Sequence, residues 1–312
     1  MISSIFGKTK PINFIIVLGF IFLFYWCVQF YLLENGFSTD AMLLKSLVLT
    51  MLLFSVFVID FIVKRNKITG PNSYSILFFT VLLVIFPETL NDSNGILCSF
   101  FLLLATRRLL SLKSLKDIKS KIFDATLWIL LSSLFYDWAI IYLILVFIAI
   151  YIYDPKNIRN WMVVLSAVFS YVIILLGVLI LIDNTSFLTS HYSFAIDYDR
   201  FYLPKWGSSI KLVLYIILNG VLTLWAFLKL GKAGVGKITN IRIIALSFML
   251  GLIVNVLVVS YSSYALMITF FPAVIFITNY IESIKRTNIL EVVLMLSIFL
   301  PLVVFIARVA IK

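Results

Sequence analysis

The chain has 312 residues, of which 63% are hydrophobic and only 12% charged, and a formal net charge of +11. A soluble globular chain carries about twice that charged fraction, so a water-soluble protein of one or two domains is excluded. Apolar runs that could cross a hydrocarbon core of about 30 Å as helices recur from end to end.

In lipid the backbone must be satisfied by helices or by a closed barrel, and "FIIVLGFIFLFYW" has none of the alternation of a barrel strand. The expected fold is therefore all-α, a polytopic transmembrane helical bundle forming a single integral membrane domain over residues 1–312. Eleven runs read as spans, at roughly 11–33, 42–63, 73–87, 95–106, 122–136, 138–153, 161–182, 210–229, 241–260, 264–281 and 289–310. With the N-terminus cytoplasmic, all but six of the 25 basic residues fall in inner segments, the exceptions being Lys45, Arg200, Lys205, Lys211, Arg308 and Lys312. Positive residues collect on the cytoplasmic side, so this orientation is expected. The distribution of the charge points to a membrane surface and not to nucleic acid.

The opening "MISSIFGKTKPINF" lacks a small-residue cleavage site, and the apolar run after it is too long for a signal peptide, so it reads as a retained first helix. Cys27 and Cys98 fall inside spans, where a thiol packs as a small hydrophobe. Asp60 and Lys64 are spaced for an i,i+4 ion pair. The triplets within "LNDSN" and at Asn184–Ser186 fit a glycosylation acceptor and indicate only exposure.

Three segments depart from the short loops elsewhere. Residues 107–121, "RRLLSLKSLKDIKSK", form a cytoplasmic link whose Leu109, Leu110, Leu112 and Leu115 can share one side of a helix. Arg107, Arg108, Lys113 and Lys116 would then meet lipid headgroups, or act simply as topological anchors. The runs 122–136 and 138–153 are joined only through Asp137, and fifteen residues reach about 22 Å, less than a full core. They either thin the bilayer or form a half-buried hairpin beside a cavity.

The third is the outer loop 183–209, which carries the sole histidine, His191, and the "DYDR" sequence. Asp197 or Asp199 could serve as a base, His191 could shuttle a proton, and Arg200 could pair a phosphate bidentately, with Tyr198, Tyr202 and Trp206 against the substrate. The same aromatic residues are also what an interfacial belt contains.

"GKAGVGK", from Gly231 to Lys237, matches most of a phosphate-binding loop. It lies between two spans, however, and Ile238 stands where the magnesium-binding Ser or Thr belongs, so no nucleotide is expected. No Asp, Glu or His falls near a span centre, which disfavours an ion-coupled relay. Asn219 and Asn255 are the deep polar groups, expected to bridge helices. Pro272 and Pro301 are expected to kink the last two spans. One histidine supplies no metal-ligand set, and no cofactor is implied.

From Asn94 to Trp161 the chain resembles the middle of polytopic glycosyltransferases of the C-type fold, which use polyprenyl-phosphate sugars. The shared order is a helix ending in basic residues, an amphipathic link, then a short helical hairpin and a basic turn. Those enzymes carry their acidic motif on a long first outer loop, whereas here that loop is only "ENGFSTDA", with Glu34 and Asp40. The whole chain also resembles uncharacterised flavobacterial-type inner-membrane proteins that open with a similar "SIFGKTKPIN".

The resemblance implies handling of a lipid-linked sugar or polyprenyl-phosphate compound at the outer face, with membrane lipids as partners. The alternatives are a non-catalytic subunit docking protein partners in an envelope assembly, or a flippase or transporter.

Overall fold

The computed structural model describes residues 2–32, 39–194, 206–229, 235–257 and 265–311. Among them the helices are α1 (Ile2–Phe6), α2 (Pro11–Cys27), α3 (Thr39–Asn66), α4 (Tyr74–Ile85), α5 (Ser93–Ser111), α6 (Ile118–Ser132), α7 (Leu143–Tyr153), α8 (Ile158–Leu181), α9 (Ser186–His191), α10 (Trp206–Lys229), α11 (Val235–Leu257), α12 (Phe270–Ile281) and α13 (Thr287–Ile311). A π-turn extends α2 over Val28–Leu32, and 3-10 turns at Asp137–Tyr142 and Ala265–Thr269 lead into α7 and α12. No strand occurs among the described residues.

Among the described residues seven helices, in α2, α3, α5, α8, α10, α11 and α13, are long and apolar enough to cross a membrane. Tyr74–Ile85, Asp137–Tyr153 and Ala265–Ile281 are shorter apolar helices, and α6 has 15 residues. The expected run 95–106 is part of a longer helix, because Arg107 and Arg108 continue α5 instead of leaving it. The link is correspondingly divided. Leu109, Leu110 and Leu112 are buried at the end of α5 and in the 3-10 turn after it, while Leu115 is 59% exposed. Leu115 and Asp117 take left-handed backbone conformations, which break the link before α6 begins.

Tertiary packing separates helices of similar composition. Every residue from Tyr74 to Val84 in α4 is buried, as expected of a helix without a polar stripe. It packs against α3, α12, α13 and α2. A second group joins α5 to α3 and α6, and α6 to α8. Large apolar side chains remain uncovered on the outer helices, including Phe169, Ile173 and Leu181 of α8 and Leu224 of α10. Apolar surface on this scale suits a hydrocarbon solvent and not water, and the protein is a membrane protein.

Contacts at the helix ends define two rims. At the first, the Ser73 amide donates to Phe6 O (2.8 Å) and Asn13 Nδ2 to Ser73 Oγ (3.0 Å). Glu282 Oε1 accepts from the Gly70 amide (2.8 Å), and Asn240 Nδ2 reaches Asn66 O (3.4 Å). At the second rim Gln29 Nε2 donates to Leu90 O (2.9 Å), Lys45 Nζ to Gln29 Oε1 (2.9 Å), and Arg308 pairs with Glu88. Asn13 and Gln29 lie about 24 Å apart along α2 at 1.5 Å per residue. Their partners Ser73 and Leu90 flank α4, so α4 with the 3-10 turn Pro87–Leu90 that follows it runs the same distance.

Asp60 and Lys64 form the expected ion pair (2.6 Å), and both cysteines are free. Two expectations are corrected. Asn219 does not bridge helices: its Nδ2 donates to Tyr215 O of its own helix (3.0 Å), and Oδ1 has no partner among the described residues. Pro272 is the third residue of α12, in the first turn, whose N–H groups have no partner within that helix, whereas Pro301 is inside α13.

Candidate functional site

The second rim gathers polar residues from four separate parts of the chain. Asp92 is the N-cap of α5, and its Oδ1 accepts the Gly95 amide (3.0 Å), which satisfies one of the unpaired donors of a helix start. The other carboxyl oxygen accepts the Tyr136 hydroxyl. Asp92 and Tyr136 are both buried.

Tyr136 stands at the tip of the α6–α7 hairpin. There Ser133 Oγ donates back to Leu130 O (2.6 Å), and Asp137 Oδ1 accepts the Trp138 amide (2.8 Å) to start the next turn. The short hairpin seen in the sequence is thus closed by side chains that cap their own backbone.

The first part of the outer loop folds onto that tip. Helix α9 presents His191, whose Nε2 lies 2.8 Å from Ser133 O. A carbonyl can only accept, so Nε2 carries the proton. The imidazole stacks on Phe187 at 4.8 Å between centroids. Tyr192 Oη lies 2.9 Å from both Ser133 Oγ and Tyr171 Oη of α8. Phe194 then donates its amide to Asp137 Oδ2 (3.2 Å) and sets its ring against Trp138 (5.3 Å). The loop from Ser186 to Phe194 is thereby tied to the hairpin by backbone, hydroxyl and ring contacts.

Of the residues expected to form a site in this loop, His191 is at the hairpin tip, bound to a backbone carbonyl. Trp206 opens α10. Asp197, Tyr198, Asp199, Arg200 and Tyr202 lie outside the described residues. On the first rim, Arg107 lies over the Phe61 ring (4.6 Å) and Arg108 pairs with Asp124 (2.9 Å). Lys113 packs beside Gly236, and Lys116 is exposed. Lys121 donates to Ser111 O (3.0 Å) and Ser114 Oγ (2.6 Å), and its partial burial lowers its pKa from the usual lysine value.

Sequence reading missed the Asp92–Tyr136 pair and the Tyr171–Tyr192–Ser133 cluster. Asp92 did carry a signal, an acidic residue just before an apolar run. The tyrosines carried none, since their partners are far away in sequence. Chemically, the rim offers a buried carboxyl, three phenols, a hydroxyl and an imidazole. Among the described residues no group of three or more His, Cys, Asp and Glu could hold a metal ion.

Fold and rim together define an all-helical membrane protein with a polar cluster over the ends of its helices. The chain belongs to DUF6427, a family of unknown function, whose pattern matches residues 2–312. No curated protein and no solved structure matches it.

Proposed function

We propose that this is an eleven-span protein of a bacterial inner membrane, N-terminus cytoplasmic, that handles a lipid-linked sugar or related polyprenyl-phosphate compound at the outer face, in the manner of a glycosyltransferase. The observation carrying this reading is the loop docked on the hairpin tip above the buried Asp92–Tyr136 pair. A carboxyl held away from water is suited to acid–base work, and Asp197, Asp199 and Arg200 follow the Phe194 anchor within six residues. In this reading Asp197 or Asp199 is the base, His191 holds the loop on the hairpin and can relay a proton, and Arg200 binds phosphate with Tyr198, Tyr202 and Trp206 nearby.

The end-to-end run of α4 beside α2 supports counting the shorter helices as crossings. The basic residues of the first rim support its cytoplasmic placement. There Lys113 and Lys116 are exposed for headgroups, while Arg107 and Arg108 also serve the packing of α3 and α6.

The test is incubation of the purified full chain with radiolabelled polyprenyl-phosphate sugar. Binding or turnover is expected, with loss in Asp199→Asn and in Asp92→Asn. A wild-type protein that neither binds nor turns over the compound removes the enzyme reading. One stoichiometric partner recovered from native membranes would favour an envelope subunit instead.

A further inference from the structure

Helices α2 and α13 meet near the second rim, where Phe24 and Phe305 pack at 4.8 Å between ring centroids. Near the first rim α1 joins the two, with Glu291 of α13 accepting the Ile2 amide (3.1 Å) and the Ser3 amide (3.2 Å). Between these closures the helices part and leave a crevice of about 170 Å³. Its floor is α4, at Leu77, Val81 and Val84, and its sides include Ile16 and Ile298. Pro301 lies on the same wall. A proline inside a helix removes one hydrogen bond and pushes its ring against the carbonyl one turn back, here that of Ser297. That gives α13 a reason to diverge at this level.

The crevice is apolar. Its one hydroxyl, Thr80 Oγ1, is already donated to Ile76 O (3.0 Å). A cavity of this size lined by apolar side chains stays dry and accepts an apolar guest. Ile16 is 44% exposed at its edge, so it opens sideways into hydrocarbon. Lys10 is the N-cap of α2, six residues before Ile16 and so about 9 Å away along the axis. Lys8, whose carbonyl accepts Asn13 Nδ2 (2.8 Å), is held beside it. Both lysines are exposed, and neither forms an ion pair among the described residues.

We propose that this crevice is a binding seat for an anionic glycerophospholipid, with one acyl chain between α2 and α13 over α4 and the phosphate at Lys8 and Lys10. An apolar slot beneath two uncommitted cations at one rim fits a molecule that is a hydrocarbon chain below and an anion above. The seat is at the opposite rim from the Asp92–Tyr136 pair and does not depend on the function proposed there.

The experiment is native mass spectrometry of the full chain in zwitterionic detergent, titrated in parallel with dioleoyl-phosphatidylglycerol and dioleoyl-phosphatidylcholine. One phosphatidylglycerol per chain is expected to be retained in preference to phosphatidylcholine. Lys8→Gln with Lys10→Gln should weaken phosphatidylglycerol about tenfold or more and leave phosphatidylcholine unchanged. Val81→Phe, which fills the crevice, should abolish retention of both lipids. Since Val81 is buried, Ile298→Trp fills the crevice from its more accessible wall, and both variants are compared only as monodisperse species with wild-type melting. Equal binding of the two lipids by wild type, or undiminished phosphatidylglycerol binding by a well-folded filled variant, overturns the proposal.

Discussion

Replacing Gly95 with alanine places a Cβ on the Asp92 carboxyl group, 2.9 Å from its Cγ and 3.5 Å from Tyr136 Oη. The carboxyl is not the free end of a long chain. It is pinned by the Gly95 amide (3.0 Å) and by the Tyr136 hydroxyl, so making room means giving up both bonds. Loss of an N-cap costs about 1 kcal/mol, and a buried hydrogen bond contributes about 1 kcal/mol more. Alanine returns part of this, since it is favoured over glycine by up to about 1 kcal/mol in a helix interior, less in a first turn. The net expectation is a destabilisation of about 1–2 kcal/mol. Equilibrium unfolding in mixed micelles would measure it, with Gly19→Ala as reference because a Cβ there meets nothing within 4 Å. A Gly95→Ala protein as stable as the Gly19→Ala protein would mean that the carboxyl is not held over the α5 terminus, and the arrangement of the second rim would be wrong.

At Gly251 an added Cβ would lie 2.9 Å from Thr269 Cγ2 and 2.9 Å from Tyr142 Oη. Gly251→Ala should therefore overpack the α11 contact and lower stability by about 1–3 kcal/mol in the same assay. Tyr192→Phe removes the hydroxyl shared with Ser133 and Tyr171; a loss of about 1 kcal/mol and faster proteolytic cleavage within residues 183–194 are expected. Glu291→Ala takes the acceptor from the amides of Ile2 and Ser3, and hydrogen exchange at those two amides should accelerate while exchange in α4 stays as in wild type. For orientation, cysteines at exposed Ser190 and exposed Lys116, in a background lacking Cys27 and Cys98, should react with a membrane-impermeant maleimide from opposite sides, Ser190→Cys in intact cells and Lys116→Cys only after permeabilisation. Labelling of both from one side would refute the assignment of the rims.

Much of the helical pattern was legible along the chain. Apolar runs became helices; of "GKAGVGK", residues 231–234 lie outside the described residues and Val235–Lys237 form the first turn of α11. Local electrostatics was legible too, in the Asp60–Lys64 pair one helical turn apart. Reading went wrong where a run's polar flank was taken for its end, as at Arg107, which lies within α5 with its guanidinium over the Phe61 ring. It also went wrong at Asn219, which satisfies its amide on its own helix.

By itself the sequence determined that the chain is helical and lives in a membrane, because both follow from local composition and the hydrocarbon's demand that each segment satisfy its own backbone. Only the tertiary structure decided which helices lie inside. Helix α4 is buried along its length, while α8 is apolar enough to cross a membrane yet leaves most of its length uncovered. In water the polar face of a helix tells the two apart. In lipid the solvent is as apolar as the core, so composition does not mark the faces that pack. The second rim is hidden by sequence distance instead, since Asp92 meets Tyr136, and Tyr171 meets Tyr192, across 44 and 21 residues of chain.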